Sequence, residues 1–332
     1  MARAGTVGLL AAVLIGLAAP AIGQESRDTG QATQTAAQSL TIPFAPPLGT
    51  PTRYAIRFER KRPSGDSVID FEQQLTFDSM DGGYVLRIET LAFVSGGRRF
   101  DLADKRLLDA VPAALRIYLL PITVELDASG EMVRMRDWEA MRVQLRGLPE
   151  AAAQLSGAPM TPAAAAAVAQ VLDPIINASA EDAPAFMIRG WPAVLGYGGA
   201  EFDLGEMAEA ESLISGGILP EPVPATLQGS LNRTPAGNLR LVQTAVIDPE
   251  GLRDGVLSLL ERLRSQGAGK TAPDPAEAIA AITMTDDTEI EFDAVTGLPI
   301  AASMARLTQI GGGAGLAAGT GGEIVTIRRI AP

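Results

Sequence analysis

At 332 residues, 47% of them hydrophobic and 20% charged, the chain can bury a sizeable core as one large or two ordinary domains. A formal net charge of −12 argues against wholesale binding of nucleic acid, which requires Lys and Arg to neutralise phosphates. Cys and His are absent, which excludes disulfides, thiolate nucleophiles, histidine general bases and His- or Cys-ligated zinc. Catalysis would fall to Asp, Glu, Ser, Thr, Tyr, Arg or the lysines Lys61, Lys105 and Lys270, so most familiar hydrolase mechanisms are closed.

Met1–Gly23 reads as a secretory signal peptide. Arg3 is its only charge, the apolar run spans about Val7 to Ala19, and Ala21-Ile22-Gly23 supplies small residues for cleavage near Gly23/Gln24. Cleavage after Ala21 is the near alternative. An uncleaved anchor is the other, because Ala4–Gln24 carries no charge and a span needs about 20 residues. Pro20 and the small-residue site favour cleavage, which predicts a periplasmic or secreted protein with no stable membrane span. Residues 24–50 are assigned to a flexible leader, polar and aperiodic through Ser39, then stiffened by Pro43, Pro46, Pro47 and Pro51.

From Arg53 the apolar residues alternate with polar ones. Tyr54, Ile56 and Phe58 oppose Arg53, Arg57 and Glu59, and Ile69, Phe71, Leu75 and Phe77 oppose Asp70, Glu72, Gln74 and Thr76. Period two at this length predicts half-buried antiparallel strands. A third strand runs over Tyr84–Val94, and Ile122–Leu126 with Glu131–Arg136 predicts a hairpin around Asp127-Ala128-Ser129-Gly130. Asp opening and Gly closing fit a type I turn with Gly left-handed, as do Thr234–Gly237 and Ala294–Gly297.

At Asp137 the spacing becomes helical. Asp137 is the expected N-cap, and Trp138, Met141, Leu145 and Leu148 share one face. Thr161-Pro162 opens a second apolar helix reaching Ile176, with a kink or break at Pro174, and Ser179–Asp182 resembles a capping-box start to a third that contains Phe186, Met187 and Ile188. The loop Gly190–Gly199, GWPAVLGYGG, follows. Strands resume near Glu201–Ala210, Ala225–Asn232 and Leu239–Ile247, a helix follows Asp248-Pro249, and the last strands fall in Ile282–Phe292, Leu298–Thr308 and Glu323–Arg329.

No motif for catalysis, cofactor or metal stands above background. Gln266–Thr271, QGAGKT, has Arg264 where a phosphate loop needs Gly, and it follows a helix instead of a strand. The acidic residues Asp286, Asp287, Glu289, Glu291 and Asp293 lack calcium-loop spacing, and a solvated strand face accounts for them. Trp138, Phe186, Met187, Trp191 and Tyr197 are of the type that lines an apolar ligand cavity, and ordinary core packing is the competing explanation.

The strand–DASG–strand–helix stretch Pro121–Leu148, set in this order of strands and helices over most of residues 50–330, resembles the periplasmic lipoprotein-carrier superfamily with the LolA/LppX-like fold. It is also similar to uncharacterised exported half-barrel families. The resemblance implies an α+β fold in one domain over residues 51–332. A curved antiparallel sheet of about 10–11 strands would form an open half-barrel, with the helical insert at about 137–189 packed on its concave face. It further implies an apolar cavity for a lipid or acyl chain. The expected function is thus an exported, soluble, non-enzymatic protein that binds or carries a hydrophobic small molecule without a cofactor. A non-catalytic envelope scaffold or protein-interaction module, with an envelope protein as partner, is the alternative.

Overall fold

The computed structural model describes residues 39–62, 65–95, 97–104, 106, 120–148, 161, 168, 172–188, 190–203, 205–214, 222–263, 282–310 and 319–331. The signal peptide, the leader up to residue 38, QGAGKT and most of the helix opened by Thr161-Pro162 lie outside these residues. Among the described residues no helix is long and apolar enough to cross a membrane.

The fold is mostly antiparallel sheet with few helices. Its strands are β1 (Ser39–Thr41), β2 (Thr52–Lys61), β3 (Ser67–Met80), β4 (Gly83–Ser95), β5 (Arg98–Asp101), β6 (Ile122–Asp127), β7 (Met132–Met135), β8 (Glu201–Asp203), β9 (Ala208–Ile214), β10 (Val223–Arg233), β11 (Leu239–Ile247), β12 (Ile282–Phe292), β13 (Pro299–Ile310) and β14 (Gly319–Ile330). Among the described residues the helices are α1 (Trp138–Leu145), α2 (Ala183–Met187), α3 (Pro192–Leu195) and α4 (Pro249–Leu263), and 172–176 are also helical. Twelve strands make one open sheet in the order β7-β6-β4-β3-β2-β14-β13-β12-β11-β10-β9, with β5 beside β4, while β1 and β8 pair separately. Two meanders meet where β2 pairs with β14, so the first and last long strands are neighbours in mid-sheet.

Directly opposed residues on paired strands point to the same face, which turns register into a map of the inner surface. One row crosses nine strands: Leu231, Leu241, Ile290, Ala302, Ile327, Ile56, Phe71, Phe93 and Phe100. All of it is buried except Phe71, which is half-buried. Full burial of such a side chain is worth about 1.5–3 kcal/mol, so this row is a main source of the sheet's cohesion.

The turn chemistry takes the form its residues predict. Gly130, Gly237 and Gly297 are left-handed, with φ of 91°, 89° and 68°. Asp127 Oδ1 accepts the N–H groups of Ser129 and Glu131, and Asp293 Oδ1 those of Val295 and Thr296. Asp137 departs from expectation. It takes a left-handed φ of 56° and makes no side-chain cap bond. The chain leaves β7 with Arg136 N–H bonded to Thr123, and a left-handed residue, which Asp tolerates better than most, turns it into α1. At the start of α2, Ser179 Oγ accepts the Asp182 N–H at 3.1 Å and donates to Asp182 Oδ2 at 2.8 Å. That is a variant of the expected box, with Asp182 returning to the Ser179 hydroxyl.

Candidate functional site

The five aromatic and methionine residues singled out in the sequence all join one apolar cluster. Trp138 and Trp191 are core members, while Phe186, Met187 and Tyr197 are partly buried and pack against it. Trp138, at the first turn of α1, donates its indole N–H to the Ala178 carbonyl at 2.9 Å. Trp191, just ahead of α3, is fully buried with its ring 4.8 Å edge-on from Tyr54 of β2. Its indole N–H donates to Gln73 Oε1 at 2.8 Å, and the Gln73 amide donates in turn to Thr90 Oγ1 at 3.2 Å. Tyr197 donates to Gln243 Oε1 of β11 at 2.8 Å and lies edge-on to Phe292, 6.0 Å between ring centres. Burial, with Asp286 adding to it, pushes the Tyr197 phenol up to about 12.

Tyr54 has a similar environment. Burial raises its phenol to about 12 against the opposing pull of Arg329. Its hydroxyl lies beside that guanidinium without a well-formed hydrogen bond. Arg329 instead fixes the β12–β13 turn, donating to Asp293 Oδ2 at 3.2 Å and to the carbonyls of Leu298 and Pro299 at 3.0 and 3.3 Å.

The inner face is graded. Beyond the sealed row lies a second, Gln243, Thr288, Met304, Val325, Phe58 and Ile69, in which all but Val325 are half-buried. Gly190, three residues past Met187, rests on Val325, Ile327 and Met304, which brings the end of α2 over this row. The next row is charged: Asp286, Arg306, Glu323 and Arg60 stand opposite one another on β12, β13, β14 and β2. Arg306 donates to Asp286 at 2.7 Å, and burial lowers the Arg60 pKa while Glu323 opposes that shift.

Sequence reasoning missed the second and third rows. Asp286 shares the parity of Ile290 and Phe292, so period two already placed it on the inner face. What was lacking was register, which alone sets it opposite Arg306. The remaining acids of β12 look outward or lie at its end, and each has a partner: Asp287 with Thr244, Glu289 with Arg240, Glu291 with Asn238 and Asp293 with Arg329.

The sheet's other end is closed by residues 39–50, part of the segment assigned to the leader. Leu40 and Ile42 are buried and β1 pairs with β8. Phe44 lies edge-on to Phe77 and Tyr84 at 6.1 and 5.3 Å. A Cβ on Gly130 or Gly198 would run into the Phe44 side chain, and one on Gly297 would overlap the Pro43 carbonyl oxygen. Gly237, in a turn of the same kind, has open space around it. Two of the three Gly-closed turns thus also form walls of a slot.

No known protein family and no curated protein matches the chain. Among solved structures it is similar to one described as "lipid-protein interactions in lipovitellin", with 7% identity and a TM-score of 0.39. That match covers 86% of this chain and only 25% of the other, a likeness too slight to bear on function.

Proposed function

We propose that this is an exported, non-enzymatic protein that binds or carries a hydrophobic ligand such as a lipid or acyl chain. In this reading the sheet curls as an open half-barrel, and the helical insert covers its concave face. The observation that supports it is the grading of the inner face from a sealed apolar row, through half-buried Phe58, Ile69 and Met304, to the charged row at Arg306 and Arg60. Such a gradation suits one apolar chain with a polar end, held along a mostly apolar surface with a few polar groups. Phe186 and Met187, half-buried on α2, are the adaptable part of its lining. Export rests on Met1–Gly23, and N-terminal sequencing of the mature protein checks cleavage near Gly23/Gln24.

Native mass spectrometry after gentle purification is expected to show a co-purified lipid mass, and the stripped protein to take up a fluorescent fatty acid. Met304→Trp, which adds bulk to the half-buried row, should reduce uptake. A clean apo mass together with no uptake overturns the reading.

A second reading, a non-catalytic envelope scaffold, draws on the indole N–H groups of Trp138 and Trp191, both bonded to protein as in a filled core. It predicts a protein partner in cross-linked envelope fractions, and an absence of any cross-linked product counts against it.

A further inference from the structure

Residues 39–50 belong to the body by contact, but one short hinge ties them to it. The strap is held as an added strand is held, by main-chain bonds along its length and pockets for alternate side chains. Ile42 N–H bonds Ala200 at 3.0 Å, Gly199 N–H bonds Ile42 at 2.8 Å and Ala45 N–H bonds Thr296 at 2.9 Å. Ser39, Leu40 and Thr41 pair with Asp203, Phe202 and Glu201. Leu40 and Ile42 fill the interior, and the Pro43–Phe44 step fits where Gly130, Gly198 and Gly297 have no side chains.

The hinge is tight. Leu48 bridges to Phe77, and Thr52 already pairs with Leu75 of the same strand, so Gly49, Thr50 and Pro51 make the whole reversal. Gly49 does so with φ of 63°, and its N–H bonds the Phe77 carbonyl at 2.8 Å. Extending the hinge frees Gly49 from its left-handed conformation and breaks few contacts.

We propose that the strap is exchangeable, and that its slot also takes the same segment from a second copy of the chain, giving a strap-swapped dimer. The occupant follows from the contacts. Each bond in the slot recognises the chain's own residues 39–48, and each is reproduced when those residues arrive from another molecule. Only residues 49–51 change conformation. Short hinges of this kind are where swapping is decided. The tethered strap competes at an effective concentration on the order of millimolar, so the closed monomer dominates in dilute solution and exchange proceeds at high concentration or through unfolding.

The absence of native Cys makes the test clean. Copies carrying only Ala45→Cys are mixed with copies carrying only Thr296→Cys, unfolded and refolded together at high concentration under thiol exchange, and mapped by mass. A 45–296 disulfide joining two chains is expected. Gly49→Val, which disfavours the turned hinge, should raise the dimer fraction several-fold. Ser39→Cys with Asp203→Cys gives a second pair at exposed positions, should the first perturb folding. The proposal is overturned if the single variants fold with native near-ultraviolet dichroism, the same pairs close within one chain when combined, and yet mixed copies yield no cross-chain disulfide at either pair. Only symmetric 45–45 or 296–296 products would overturn it equally.

Discussion

Trp191 and Gln73 lie 118 residues apart in the chain and are joined by a 2.8 Å hydrogen bond from indole N–H to amide oxygen. This bond fixes the GWPAVLGYGG loop to the inner face of β3. Gln73→Met leaves the indole N–H buried without an acceptor, at an expected cost of about 1–3 kcal/mol. Adding Trp191→Phe removes the stranded donor, so the double variant should fall short of the summed single costs by at least about 0.5 kcal/mol. Urea denaturation of the four proteins measures this coupling, and strict additivity would show that the bond contributes nothing.

The Gly-closed turns separate backbone strain from steric closure. Gly237→Ala is expected to cost about 1–2 kcal/mol, the penalty of a left-handed residue with a Cβ. Gly297→Ala bears that penalty and also forces Pro43 from its place. It should therefore lose more stability and expose residues 39–50 to limited proteolysis, whereas Gly237→Ala keeps them protected. Equal protease resistance in both variants would contradict the slot described above.

Glu125 of β6 supplies an acid-sensitive clasp on the β6–β7 edge. Hydrogen bonds from Arg134 and Arg136 hold its carboxyl at about 2, below its ordinary 4.5. Because the folded value is depressed, the stabilisation is present above 4.5 and is lost as pH falls towards about 2. The stability gap between wild type and Glu125→Gln should stay level above that window and close within it. Thermal melts across the acid range provide the comparison.

At the alkaline end, Tyr54 and Tyr197 carry phenols raised by burial from 10.0 to about 12. A folded pKa above the unfolded one means stability is intact below 10.0 and declines as pH rises towards 12. Phenolate absorbance should show both groups titrating near 12, with Tyr197→Phe removing one of them. Loss of that late amplitude on substitution, with the fold retained, identifies the group.

Much of the sheet is legible in the sequence because its signals are local. Tyr54, Ile56 and Phe58 alternate with charged neighbours, and Asp127–Gly130 and Ala294–Gly297 carry their own turn chemistry. The second half of the slot is not legible, because Gly297 becomes a wall only when Pro43 approaches it from the far end of the chain. Leu40 and Ile42 are likewise too few to show a period, so the prolines beside them read as a tether. The five proposed lining residues do gather in one cluster, since helical spacing and bulk are strong signals of burial. Whether a position stays half-buried, as Met304 and Phe58 do, depends on what crosses above the sheet, which period two does not encode.

The pairing of β2 with β14 has a kinetic consequence. Residues 53–61 pair with the neighbouring β3 on one side, but their other side is filled only by 322–330, and the strap before them needs walls built from residues 129, 198 and 297. The strap can dock only after nearly all of the chain is present. Loop closure over such separations is entropically costly and slow. Docking of residues 39–50 should thus lag behind synthesis, leaving the strap unseated and one side of β2 open until the C-terminal strands are made.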